Sequence, residues 1–106
     1  MECLIGLQFN DFILLAADGN AGRSIIFMKT DVDKVYHLSD KLALAVSGDF
    51  GDAVSFAEFI LQNMQLYKLR NGYDMTPDEA AHFTRHQLAE SLRTQVITII
   101  YHNYVI

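Results

Sequence analysis

Two histidines four residues apart are the first residues whose types and spacing could do chemistry. His82 and His86 would lie one turn apart on a helix, with Glu79 one turn before them, and imidazole and carboxylate groups both bind zinc. The metalloprotease helix pattern needs a glutamate directly after the first histidine, and this chain has Phe83 there. We interpret these side chains as a solvated helix face and predict no metal site.

A glycine-containing loop gives a second candidate, for phosphate binding. The segment Gly48-Asp49-Phe50-Gly51-Asp52 lies between a predicted strand and a predicted helix, where phosphate loops are found. It contains two aspartates and no lysine, so it would repel a phosphate group. The sequence therefore predicts no nucleotide site and no cofactor.

Composition excludes several classes of function. The chain has 106 residues, 51% of them apolar, and fits one globular domain or a piece of a larger one. A net charge of -5 with eight Lys and Arg residues excludes a nucleic-acid partner, and no apolar run approaches the roughly 20 residues that span a bilayer. The start Met-Glu-Cys lacks a basic leader, and a single cysteine suits a reducing compartment, so we expect a cytoplasmic or nuclear protein.

Strands are predicted in the first half. Cys3–Phe9 alternates in polarity as a half-buried strand does, and Phe12–Ala17 is an unbroken apolar run typical of a strand buried on both faces, so the two form a hairpin. Asp18–Gly22 is rich in turn residues. Further strands are predicted over Ser24–Met28, Val35–Leu38 and Leu42–Val46, with a charged loop at Lys29–Asp33.

Helical spacing begins after Gly48. Apolar residues recur over about five turns up to Gly72, which can end a helix in the left-handed conformation; they are Ala53, Phe56, Ala57, Ile60, Met64 and Tyr67. Thr76–Glu79 has a capping-box pattern that starts a second helix, predicted to run to about Arg93. Gln95–Ile106 is predicted to be a strand. This order favours an α+β layered domain.

Several segments, in order, resemble one family, that of the proteasome beta subunits, and within it the non-catalytic type-2 group. They are Leu4-Ile5-Gly6, Ala16-Ala17-Asp18, Asp33-Lys34, Gly48-Asp49, Gly51-Asp52, the run from Leu66 to Tyr73, His82-Phe83-Thr84-Arg85 and Leu88-Ala89. The resemblance extends from Glu2 to about Arg93. It implies a four-layer αββα sandwich of the N-terminal-nucleophile type, of which residues 1–106 would be a single partial domain, the truncated N-terminal half. We therefore expect uncovered apolar surface on the hairpin Cys3–Ala17.

The resemblance also implies where a catalytic site would lie. In catalytic relatives a threonine begins the first strand, and its free amine accepts the proton from its hydroxyl. The corresponding residue is Glu2 in this chain, so no catalytic residue is expected. Asp18 and Lys34 would persist as a structural ion pair, and Gly48 would mark the former oxyanion hole.

Cys3 is the other candidate nucleophile, since an N-terminal cysteine can replace threonine in this fold class. Successive strand residues point to opposite faces, so Cys3 would point away from Lys34. It would also need cleavage after Glu2. We predict that Cys3 is a small core residue.

A second apolar stripe on the long helix has two interpretations. Phe59, Leu66 and Leu69 could be buried between layers, or they could contact another subunit. Tyr73, in the loop between the helices, is a further interface candidate.

The expected function is that of a non-catalytic structural subunit of the beta ring, partnered by other alpha- and beta-type subunits of the core particle. The alternatives are an active threonine peptidase, which Glu2 disfavours, and a truncated paralogue that does not assemble.

Overall fold

Six strands, two helices and a last strand follow one another in the computed structural model, which describes residues 3–23, 26–91 and 98–103. They are β1 (Leu4–Gln8), β2 (Ile13–Ala17), β3 (Ala21–Arg23), β4 (Ile26–Lys29), β5 (Val35–Ser39), β6 (Leu42–Ser47), α1 (Phe50–Asn71), α2 (Pro77–Ser91) and β7 (Thr98–Asn103). The predicted order of elements and the α+β class are confirmed.

The elements form three layers. Strands β5, β6 and β7 make one antiparallel sheet in that order, and β1 with β2 and β3 with β4 make two separate hairpins. Helix α1 contacts β5 and β6, and α2 contacts β7, while β1 contacts β6 and β7. The three-stranded sheet therefore lies between the helices and the β1–β2 hairpin.

The hydrophobic core lies between the helices and the three-stranded sheet. Leu44 of β6 and Ala57 and Ile60 of α1 are completely buried in it. Alternate residues of β6 must point the other way, and Ala45, also buried, is not part of this cluster. The predicted helical stripe is confirmed, because its first five members are the buried residues of α1.

Both helices begin as their sequences predict, and the end predicted for α2, at about Arg93, lies outside the described residues. The Asp49 carboxylate accepts a hydrogen bond from the Gly51 N–H at the start of α1. At the start of α2, the Thr76 N–H donates to Glu79 Oε2 at 2.9 Å, and the Glu79 N–H donates to Thr76 Oγ1 at 3.4 Å. These bonds satisfy N–H groups that a helix start leaves unpaired.

Gly72 ends α1 in the left-handed conformation, with φ of 80° and its N–H donating to the Lys68 carbonyl. We expect Gly72→Ala to lower the free energy of unfolding by about 1 kcal/mol, because a Cβ disfavours this conformation. Nothing lies within 4 Å of the added Cβ, so the effect would come from the backbone alone. Gly72→Asn, which tolerates positive φ, should lose less in urea unfolding; equal losses would contradict this explanation.

The β1–β2 hairpin forms as predicted, but its burial was predicted wrongly. Leu7 lies opposite Leu14, and these side chains are 45% and 49% exposed. Only the face that carries Ile13 and Leu15 is partly covered. Strand β2 is therefore not buried on both faces and β1 is largely exposed, because no described element covers the outer side of the hairpin. The expected uncovered apolar surface is confirmed there.

Other boundaries also differ from the prediction. Part of the predicted turn Asp18–Gly22 is strand, because Ala21–Arg23 pairs with Ile26–Lys29. Lys29 is the last residue of β4 and does not belong to the predicted loop Lys29–Asp33. The last strand pairs antiparallel with β6 over Thr98–Asn103; predicted residues 24–25, 92–97 and 104–106 lie outside the described part.

Candidate functional site

An ion pair between Asp18 and Lys34 is the centre of the candidate site. Asp18 directly follows β2 and Lys34 directly precedes β5, so two strand ends position them. Lys34 Nζ lies 2.8 Å from Asp18 Oδ1 and 2.7 Å from the Asn20 carbonyl oxygen. The Lys34 side chain is only 6% exposed, against 22% for Asp18. Burial of an ammonium group is costly unless hydrogen-bonding partners of this kind are present.

The same carboxylate also binds the start of β1. Asp18 Oδ1 accepts a hydrogen bond from the Cys3 N–H at 3.1 Å, and the Asp18 N–H donates to the Cys3 carbonyl at 3.1 Å. The pair is thus fixed at the beginning of the first strand, as the resemblance implies. Glu2 precedes Cys3 in sequence and lies outside the described residues.

The surroundings of Asp18 keep it ionised. The hydrogen bond from Lys34, followed by that from the Cys3 N–H, lowers the pKa of Asp18 to about 2 from its usual 3.8. At neutral pH the site therefore holds a carboxylate and a lysine in direct contact. That arrangement can orient a neighbouring group electrostatically, but neither member is a hydroxyl or thiol nucleophile.

The space beside Lys34 is small. A cavity of about 20 Å³ touches Lys34, Tyr36, Gly48 and Phe50, which is room for about one water molecule. Gly48, the residue implied for the oxyanion hole, lies on this lining with φ of 150°.

Comparison with known proteins identifies the family. The family described as "Proteasome subunit" matches residues 2–103. Proteasome subunit beta type-2-A of Arabidopsis thaliana is 45% identical over 93 residues, which are 88% of this chain and 46% of that protein. The chain belongs to the proteasome beta-subunit family. The fold class implied by the resemblance is therefore confirmed.

In two further relatives, the match to this chain also covers a little under half of the relative's length. Proteasome subunit beta type-2 of Oryza sativa is 45% identical, covering 88% of this chain and 44% of that protein. Probable proteasome subunit beta type-4 of Neurospora crassa is 42% identical, covering 90% and 47%. This proteasome beta-family chain thus spans about half the length of the curated relatives it matches.

The other sequence candidates do not join the site. Glu79, His82 and His86 are exposed on α2, and the described residues contain no group of three or more side chains suited to a metal ion. Cys3 was predicted to be in the core and is exposed instead, because the outer face of the β1–β2 hairpin has no cover in the described structure. None of the described helices has the length and apolar character needed to cross a membrane.

Backbone groups are what the sequence reasoning missed. The Asn20 carbonyl accepts a hydrogen bond from Lys34, and the Cys3 N–H donates one to Asp18. Every residue type offers such groups, so no signal in the sequence could have identified them.

The interface candidates all lie on the surface. Exposure is 83% for Leu69, 55% for Tyr73, 45% for Phe59 and 42% for Leu66, so burial of this stripe between layers of the described chain was a wrong alternative. Their role at an interface stays a prediction.

The loop that carries Tyr73 is held in place by two contacts. The Tyr67 and Tyr73 hydroxyls lie 3.0 Å apart with their rings perpendicular. Lys68 forms an ion pair with Asp74 at 3.0 Å. The loop therefore presents Tyr73 in a defined position.

Proposed function

We propose that this proteasome beta-family chain is a non-catalytic structural subunit of the beta ring of the core particle, and that it contributes contacts to the assembly that degrades proteins. The observation that carries the proposal is Glu2 at the position of the nucleophile, next in sequence to the Cys3 amide that Asp18 binds. A carboxylate there cannot act as the hydroxyl nucleophile of a threonine peptidase.

Two features of the site support a structural role. The Asp18–Lys34 pair connects the start of β1 to the start of β5, and this connection would stabilise the fold whether or not the chain catalyses a reaction. The cavity beside Lys34 and Gly48 has a volume of about 20 Å³, which is room for about one water molecule. We propose that Asp18, Lys34 and Gly48 are remnants of a catalytic site.

The proposed partners are other alpha- and beta-type proteasome subunits, in the cytoplasm and nucleus. Leu69 and Tyr73 would make the contacts, because both are large, mostly apolar and exposed. Aromatic residues held in position often anchor interfaces, and the Tyr67–Tyr73 hydrogen bond provides that support.

We expect a tagged copy of the chain, expressed in cells, to migrate with the core particle on native gels. Tyr73→Asp and Leu69→Asp should each reduce its incorporation at least tenfold, because a charge would be buried at the contact. Gln62→Asp, at an exposed polar position of α1, is the matched control. The purified chain should not hydrolyse fluorogenic peptides or be labelled by a threonine-directed epoxyketone.

Two outcomes would decide for the alternatives. Peptide turnover or covalent labelling would show an active threonine peptidase. A chain that never migrates with the particle would be a paralogue that does not assemble.

A further inference from the structure

Two tyrosines, one near the end of α1 and one in the loop that follows, are in direct contact. The Tyr67 hydroxyl donates a hydrogen bond to the Tyr73 oxygen at 3.0 Å. The ring centroids are 5.6 Å apart and the rings are perpendicular, which is a favourable geometry for an aromatic pair. The edges of the two rings that carry the hydroxyl groups are therefore adjacent.

The local backbone brings Tyr73 to this position. Gly72 turns the chain in the left-handed conformation and its N–H donates to the Lys68 carbonyl. Directly after Tyr73, Asp74 forms an ion pair with the Lys68 side chain at 3.0 Å. Contacts on both sides of Tyr73 thus return the loop to the last turn of α1, so the tyrosine pair is a feature of the folded chain.

Both rings are open to solvent and carry their protons at neutral pH. Tyr73 is 55% exposed and Tyr67 is half-buried, so a small oxidant in solution can reach the pair. The hydrogen bond to Tyr73 is the main cause that raises the pKa of Tyr67 to about 12. The Tyr67 hydroxyl therefore remains a donor, and the contact persists at neutral pH.

We propose that Tyr67 and Tyr73 form a modification site at which one-electron oxidation joins the two rings as dityrosine. Each phenol loses one electron and its hydroxyl proton. The two radicals then form a bond between the ring carbons beside their hydroxyls, and the hydrogens on those carbons pass through solvent to the oxygens, which restores both hydroxyls. When a haem peroxidase carries out the oxidation, the two electrons and two protons released reduce one hydrogen peroxide to two water molecules.

The folded geometry favours this reaction over coupling between chains. Two reactive groups held in contact react as if each were present at very high concentration, and exposed side chains change rotamer fast enough to bring the ring carbons together. The new bond would fix the loop that presents Tyr73, and so would alter a surface that we propose for subunit contact. The modification itself rests on the tyrosine contact and not on the proposed function.

The test is oxidation of the purified chain, at high dilution, with a haem peroxidase and hydrogen peroxide. The monomer is isolated on a denaturing gel and digested with trypsin, which cleaves after Lys68 and Arg70 and so separates the two tyrosines. Tyr67 falls in peptide 42–68 and Tyr73 in peptide 71–85, and neither peptide contains another tyrosine. We expect these two peptides to be linked, with the loss of two hydrogen atoms and the blue fluorescence of dityrosine.

Conservative variants and denaturant provide the controls. Tyr67→Phe and Tyr73→Phe should each lower the fluorescence of the monomer at least about tenfold, and Tyr36→Phe should leave it unchanged. Concentrated urea should lower the yield at least about fivefold, because the contact is lost on unfolding. The proposal would be overturned by a treated monomer without the linked pair 42–68 and 71–85. An equal yield in urea would also overturn it, since nearness in the sequence would then be the cause.

Discussion

Asp18→Ala should lower the free energy of unfolding by about 3 kcal/mol, because it removes the carboxylate that forms an ion pair with the buried Lys34 side chain. Lys34 would lose the carboxylate oxygen that lies 2.8 Å from its ammonium group, and its side chain is 6% exposed. The Cys3 N–H would also lose its acceptor. Urea unfolding followed by circular dichroism measures the difference.

Removal of the other partner provides the control. Lys34→Met takes away the charge and keeps an apolar chain of similar length, while Asp18 is exposed enough for water to reach it. We expect a loss of about 1 kcal/mol. The double variant D18A/K34M should be more stable than D18A alone. If K34M did not rescue D18A, the loss would not come from the broken contact between the Asp18 carboxylate and the Lys34 ammonium group.

The Asp18–Lys34 pair also predicts that the free energy of unfolding falls at acidic pH. The pKa of Asp18 is lower in the folded chain, about 2, than its usual 3.8. Between these pH values the unfolded chain binds more protons, so the contribution of Asp18 is present above pH 4 and lost as the pH falls towards 2. Asp18→Asn should remove the part of the pH dependence of stability that comes from Asp18 and leave the contributions of the other carboxyl groups unchanged.

Ile60→Ala should lower the free energy of unfolding by about 3 to 4 kcal/mol, the largest effect we expect from a single core substitution. Ile60 is completely buried in the cluster that joins α1 to the three-stranded sheet. Its truncation removes apolar contacts and leaves a cavity that the surrounding β6 and α1 side chains can fill only partly.

The neighbouring residue is the matched control for this substitution. Phe59 lies in the same helix turn but is 45% exposed, so Phe59→Ala should change stability by no more than about 0.5 kcal/mol. A large loss from Phe59→Ala would show that the outer surface of α1 is packed in the isolated chain, in conflict with the described structure.

Local patterns predicted the helices well because their signals lie within a few residues. The 3.6-residue spacing of α1, the Thr76–Glu79 capping box and the position of Gly72 are all short-range features. Burial of the strands could not be predicted in the same way. An apolar run such as Phe12–Ala17 suits a strand covered on both faces, but cover depends on which elements lie nearby.

The candidate site was predictable only in part, for the same reason. The resemblance identified Asp18 and Lys34, and the structure brings them to 2.8 Å. The exposure of Cys3 was missed because strand alternation says which residues share a face and not whether that face is covered. Residues 21–23 were missed because their turn-forming types also permit a short paired strand.

The Asp18 carboxylate has a consequence for judging activity in other chains with this sequence pattern. Its oxygen connects Cys3 and Lys34, which are 15 and 16 residues away in the sequence. A requirement to fold would therefore be enough to preserve the pair in a chain that has no nucleophile. We therefore expect an aspartate and a lysine at these positions to indicate a correctly formed strand junction, whereas peptidase activity would depend on the residue at the start of the first strand.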